Sequence, residues 1–102
     1  LNVPNDGYIS NLKQGGVVEI PAIVGADKIY GLHMGEMPHA IAGFLEYQLY
    51  IMDLVVDAAV KGDRQAALEA LFLDPNVPDP QTAEKVLDEM LVLQKDYLPQ
   101  FS

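Results

Sequence analysis

The run from His39 to Lys61, HAIAGFLEYQLYIMDLVVDAAVK, constrains this chain more than any other. Gly43 is the only helix breaker in it, Pro38 suits the turn that opens it, and Gly62 is a natural residue just past its end. At 100° per residue, His39, Glu46, Asp53 and Asp57 fall within about 40° of one another. Apolar side chains, Ile41, Phe44, Leu45, Leu49, Met52 and Val56 among them, wrap most of the remaining circumference. A helix apolar almost all round is a buried helix. Some 24 residues at 1.5 Å each make it about 36 Å long. The rest of a 102-residue chain, room for one small domain, is expected to cover about half of that girth. The remainder is expected to be covered by something outside residues 1–102, because an open stripe of this size would aggregate. Ile41, Leu45, Leu49, Met52 and Val56 are the candidate interface residues.

A membrane would cover such a helix too. Glu46, Asp53 and Asp57 would then each cost about 2.5–3.5 kcal/mol at mid-span, and basic flanks are missing. No membrane span is therefore expected. Fifteen acidic against six basic side chains leave a net charge of −9, which excludes nucleic acid and anionic lipid as the main partner. With no cysteine there is no disulfide, thiolate metal site or thiol nucleophile. Half the residues are apolar and the mean hydropathy is positive, too apolar for a disordered chain. The sequence starts at Leu1 and shows no signal-peptide pattern. These features set the expectation of a cytoplasmic piece of a longer protein.

Around the long helix the chain reads as an α+β fragment, a β-hairpin followed by three helices. Residues 1–16 are turn-rich, with the tight-turn dipeptide Asp6-Gly7 between the short apolar pieces Leu1–Val3 and Tyr8–Ile9. VVEIPAIV at 17–24 is a β-branched strand, with an edge or a bulge at Pro21, which cannot donate to a ladder. Lys28–Met34 is the returning strand. Asp63 caps a second helix over 64–73, ended by Asp74-Pro75. Asp79 followed by Pro80 starts a third, over 80–98, with Ala83, Val86, Leu87, Met90, Leu91, Tyr97 and Leu98 on its apolar face.

Chemistry is sparse. His33, Glu36 and His39 make an H-x-x-E-x-x-H spacing, but Gly35 and Pro38 break any helix there, and a metal helix needs its histidines four apart. A solvated junction between strand and helix is the better reading. Asn2, Asn5 and Asn11 could contact a polyol, or serve turn geometry as asparagines in such segments usually do. Gln48 lies opposite the acidic stripe amid Tyr47, Leu49 and Met52, where its amide needs a partner from backbone, substrate or subunit. No G-x-G-x-x-G, G-x-x-x-x-G-K-[ST], H-E-x-x-H or nucleophile elbow occurs. The chain holds no complete catalytic constellation, and no catalytic, cofactor-binding or metal residue is expected in it.

An ordered series of short motifs adds a family. Asn2, Pro4, Asn5, Gly7, Ile9, Asn11 and Leu12 fit N-x-P-N-x-G-x-I-x-N-L-P, with Lys13 at the final proline. Val18-Glu19-Ile20-Pro21 stands for V-E-V-P and Gly35-Glu36-Met37-Pro38 for G-x-L-P. With Tyr47-Gln48, Asp53–Ala59, Gly62-Asp63, Ala67–Leu71 and Asp74-Pro75 following in order, the chain resembles the C-terminal region of glycoside hydrolase family 4 over nearly its whole length. That family includes α-glucosidases, α-galactosidases, α-galacturonidases and 6-phospho-glycosidases.

The resemblance implies part of a C-terminal domain like that of lactate and malate dehydrogenases, with a dinucleotide-binding domain missing from residues 1–102. It implies a carbohydrate substrate, NAD, a divalent metal such as manganese, and a homo-oligomer. The implied mechanism is oxidation of the sugar C3 hydroxyl, removal of the acidified C2 proton, elimination of the glycosidic bond, addition of water and re-reduction. This differs from two-carboxylate hydrolysis. The family's metal-binding Cys and His and its usual Tyr base lie upstream of this region, so the chain alone is expected to be inactive and to supply scaffold and oligomer contacts. Asp74-Pro75 resembles the members acting on unphosphorylated α-glycosides. Two other readings compete: the matching half of a 2-hydroxy-acid dehydrogenase relative, and a stand-alone helical dimerisation module.

Overall fold

The computed structural model describes residues 1–101 and divides into two compact units, Leu1–Leu49 and Tyr50 onward. Its elements are strands β1 (Asn2–Pro4), β2 (Val17–Glu19), β3 (Ala22–Val24) and β4 (Ile29–Gly31), helices α1 (His39–Lys61), α2 (Arg64–Leu73) and α3 (Pro80–Leu93), and a closing 3-10 turn at Pro99–Phe101. This is the expected α+β order of extended segments followed by three helices.

In the first unit the run 17–24 forms two short strands with different partners. β2 pairs antiparallel with β1, setting Val3 opposite Val18, and β3 pairs antiparallel with β4, setting Ile23 opposite Tyr30. The change falls at Ile20-Pro21, where Ile20 still donates to the Leu1 carbonyl at 3.0 Å and Pro21 only accepts, from Leu32 N at 3.0 Å. A residue without an N–H cannot continue one ladder into the next. The Pro21 signal was therefore correct, but it marks a change of partner within two two-stranded sheets. The pieces flanking Asp6-Gly7 do not pair with each other either: the first joins 17–19, and Ile9 bridges Gly35.

The core of this unit holds Ile9, Leu12, Val18, Ile20, Ala42 and Leu49, with Val3, Tyr8, Met37 and Leu45 against it. Gly16 permits one close approach, since a Cβ there would stand 2.9 Å from a Leu49 methyl. α1 starts where the Pro38 carbonyl accepts from the backbone of Ile41 and Ala42, at 3.0 and 2.9 Å.

In the second unit α2 and α3 pack through Leu68, Ala83 and Leu87, with Ala67, Leu71, Val77 and Leu91 around them. Both predicted caps form. The Asp63 carboxylate accepts from Gln65 and Ala66 N, and Asp79 accepts from Thr82 N with Pro80 behind it. α1 ends at Gly62, whose φ of +67° is the left-handed conformation of a helix terminus.

The third helix is shorter than the sequence suggests. It stops at Leu93, and Gln94–Leu98 wind into a turn that leaves Tyr97 84% exposed. A proline at 99 within a helix would drive its ring against the carbonyl of Lys95, so the regular helix must end before that point. Tyr97 therefore leaves the apolar face assigned to it. Leu98 stays half-buried and, with Phe101, lines an open apolar groove of about 350 Å³ in this unit.

Candidate functional site

The loop 5–16 and the turn 35–38 carry two of the family motifs, and they meet in the first unit. Asn5, only 2% exposed, is the centre of the loop. Its Nδ2 donates to the carbonyls of Ile9 at 2.9 Å, Leu12 at 3.1 Å and Lys13 at 3.3 Å. Its Oδ1 accepts from Ile9 N at 3.0 Å. Its own N–H donates to the Gly16 carbonyl, and its carbonyl accepts from Gly15, both at 2.8 Å. One buried amide thus satisfies backbone that no strand or helix pairs. Asn5 is buried, and its amide is turned to the loop's own backbone.

Asn11 does the same between segments. Its Nδ2 donates to the Met37 carbonyl and its Oδ1 accepts from Met37 N, each at 2.9 Å. Ser10 N donates to the Gly35 carbonyl at 2.9 Å and Met34 N to that of Tyr8 at 2.7 Å, continuing the seam. Asn11 is half-buried.

His33 is exposed. Its Nδ1 lies 3.1 Å from the Gly7 carbonyl, and its ring sits 4.9 Å from that of Tyr8 at 33°. Glu36 and His39 are also exposed, and no group of three or more His, Cys, Asp or Glu side chains among the described residues could hold a metal ion. Gln48 is half-buried on α1, and its amide makes none of the side-chain hydrogen bonds found among the described residues.

The candidate interface residues divide. Leu49 is 6% exposed in the chain's own core, and Leu45 is half-buried against the same cluster. Ile41 is exposed in the first unit; Met52 and Val56 are exposed in the second. Phe44, Tyr50, Val55 and Val60 on the same helix are exposed as well, so α1 keeps open apolar surface in both units. No helix among the described residues is long and apolar enough to cross a membrane.

Charge sits at helix ends and surfaces. A hydrogen bond and the charge of Asp57, 2.8 Å away, raise the Lys61 ammonium pKa; Asp88, 2.6 Å away, does the same for the Arg64 guanidinium. Thr82 lowers that of the Asp79 carboxyl through its backbone N–H and its hydroxyl. These exposed pairs are structural and screened.

Two contacts escaped the sequence reading. Gln14 Oε1 accepts from Gly7 N at 2.9 Å, and Gln100 Nε2 donates to the Ala59 carbonyl at 2.9 Å near the end of α1. Neither glutamine stands in a periodic pattern, so nothing in the sequence marked either one.

The chain thus presents a loop pinned by two asparagines, a seam to a glycine turn, and helices with open apolar surface. Known proteins place it. Residues 1–77 match the family 4 glycosyl hydrolase C-terminal domain, and the chain belongs to that family. It is 38% identical over its whole length to maltose-6'-phosphate glucosidase MalH of Clostridium acetobutylicum, covering 23% of that protein. It is also 38% identical over 98 residues, 96% of the chain, to 6-phospho-alpha-glucosidase 1 of Lacticaseibacillus paracasei, of which it covers 22%. Among solved structures it superimposes with a TM-score of 0.89 on a 6-phospho-alpha-glucosidase from gut microorganisms in complex with NAD and glucose-6-phosphate, at 33% identity, covering 97% of this chain and 22% of that one. The 6-phospho-beta glucosidase of Thermotoga maritima, solved with manganese, NAD+ and glucose-6-phosphate, matches with a TM-score of 0.83 at 31% identity, covering 95% of this chain and 24% of that one. The chain spans less than a quarter of the length of these relatives. Family membership decides against the dehydrogenase reading.

Proposed function

We propose that residues 1–102 are the C-terminal scaffold of a longer glycosidase that cleaves the O-glycosidic bond of a 6-phospho-glucoside. The observation that carries this reading is identity of 33–38% across nearly the whole chain to enzymes named for phosphorylated glucosides. Those names weigh against the unphosphorylated substrate suggested by Asp74-Pro75. The described residues offer no donor set for a metal and the sequence no glycine-rich nucleotide fingerprint, so NAD and a divalent cation such as manganese would be held by parts of the enzyme outside 1–102. The oxidation–elimination route belongs to those parts. The chain's own contribution is to hold loop 5–16 and turn 35–38 rigid and to offer α1 to a neighbouring domain or subunit. Gln48, half-buried on α1, carries an amide that needs a partner and is assigned the ligand- or subunit-facing role in this reading, and a cytoplasmic location is part of the same proposal.

The test is turnover of a chromogenic 6-phospho-α-glucoside by the full-length protein with NAD and manganese. Hydrolysis that stops on chelation, with the unphosphorylated analogue left intact, supports the reading. Cleavage of the unphosphorylated analogue alone, or of neither, overturns it. Residues 1–102 by themselves are expected to hydrolyse nothing.

A further inference from the structure

Asp6-Gly7 sits between the buried amide of Asn5 and the exposed surface, and it has the chemistry of a spontaneous modification site. Asp6 is exposed. The next residue has no Cβ to shield its nitrogen, and its φ of +73° is a conformation only glycine adopts readily. An aspartate followed by glycine can cyclise: the Gly7 nitrogen attacks the Asp6 side-chain carboxyl carbon, its proton passes to solvent, and the carboxyl oxygen leaves as water. The five-membered succinimide then takes up water. Opening at one carbonyl restores aspartate; opening at the other leaves an isoaspartyl link, with the main chain running through the former side chain. No oxidant or further reactant is required.

The nucleophile of that reaction is already engaged, because Gly7 N donates to Gln14 Oε1 at 2.9 Å. The amide must lose its proton and turn toward the carboxyl to react, and this hydrogen bond opposes both. The rest of loop 5–16 holds the geometry through the Asn5 bonds to Ile9, Leu12 and Lys13. We propose that Asp6 is a latent isoaspartate site that the Gln14 side chain keeps closed. Its opening would also disturb the loop. One extra backbone carbon after Asn5 would shift that amide against the three carbonyls and one N–H it serves, so isomerisation would loosen the seam to turn 35–38. The inference is independent of the substrate.

The experiment ages the full-length protein at mildly alkaline pH and locates isoaspartate by methyl transfer from S-adenosylmethionine with an isoaspartyl methyltransferase, followed by peptide mass spectrometry. Removing one exposed hydrogen bond with Gln14→Ala should speed isomerisation at Asp6 by roughly two- to tenfold. Gln14→Glu keeps an acceptor oxygen and should stay near the parent rate, and Asp6→Glu, which would need a larger ring, should abolish the signal. Equal rates in the parent and Gln14→Ala, or isoaspartate elsewhere but not at Asp6, would overturn the proposal. If Gln14→Ala melts at the ageing temperature, the parent alone decides: Asp6 must isomerise more slowly in the folded protein than in urea, and equal rates refute the guard.

Discussion

The side chain of Asn11 and the backbone of Met37 exchange two hydrogen bonds of 2.9 Å, one in each direction, across 26 residues of sequence. An amide side chain here imitates a strand partner, giving Met37 the donor and acceptor that a ladder would give it. It needs both an N–H and a carbonyl oxygen at the same position, which restricts the residue to asparagine at this reach.

Replacing Asn11 by Ala should therefore destabilise the full-length protein by about 1–3 kcal/mol, the cost of leaving partly buried backbone groups unsatisfied. Asn11→Asp tests the direction of the bonds, because a carboxylate keeps the acceptor for Met37 N but faces the Met37 carbonyl without a donor. Thermal melting should place Asp between Asn and Ala or below Ala, and equal melting of all three would show the staple to be dispensable. Asn5→Leu should be worse than either. It strips partners from Ile9 N and from carbonyls at the most buried point of the loop, and expression of folded protein is the first readout.

Two glycines of α1 and its terminus should respond to alanine with opposite signs. At Gly62 the positive φ and the Gln100 backbone, which a Cβ would strike, both exclude a side chain. Gly62→Ala should cost more than about 1 kcal/mol, because conformational strain and displacement of Gln100 add. Gly43 lies within α1 with nothing for a Cβ to meet. Gly43→Ala should raise stability by roughly 0.5–1 kcal/mol, the ordinary helix gain. Denaturant midpoints measure both, and a stabilising Gly62→Ala would contradict the observed helix end.

Helix limits were written plainly in the sequence where a single residue sets them. Asp63 and Asp79 begin α2 and α3 and Gly62 closes α1, because cap chemistry is local. What the sequence hid was non-local. Pro21 announced a broken ladder but not that β2 would find β1, since partner choice depends on loop 5–16 closing around Asn5. The same closure gives the side chains of Asn5 and Asn11 backbone partners that the turn-rich segment alone did not specify. Pro99 was read as a stop at its own position, although its steric reach extends four residues back. The family was legible partly because some of its motifs lie in segments where geometry permits few residues: the asparagine loop, the glycine turn and the caps.

Acid should loosen α3 through Asp79. Its pKa is held below the ordinary carboxylate value by the Thr82 N–H and hydroxyl, so the folded state binds this proton less readily than the unfolded chain. The cap's contribution is then present above the unfolded pKa and disappears as pH falls through the lowered folded value. Comparing the full-length protein with Asp79→Asn, which caps without titrating there, should show a steeper acid loss of stability in the parent. Parallel curves would remove Asp79 from the acid response.

The last expectation concerns the open surface of α1. Met52 is 53% and Val56 59% exposed, four residues apart and so on neighbouring turns of one face, and Ile41 is 51% exposed nearer the start. Covering side chains of this kind contributes about 1.5–3 kcal/mol each for complete burial, and somewhat less from half exposure. Met52→Asp or Val56→Asp in the full-length protein should therefore weaken folding or subunit association, seen as a lower melting temperature or a smaller species by sedimentation at equal concentration. Leu49→Asp would also be damaging, but through the chain's own core, so it cannot report on an interface. Glu46→Ser is the control that should change little. The two aspartate variants acting no more strongly than Glu46→Ser would mean that this stretch of α1 faces solvent in the full-length protein, and the apolar girth of the helix would then need a different explanation.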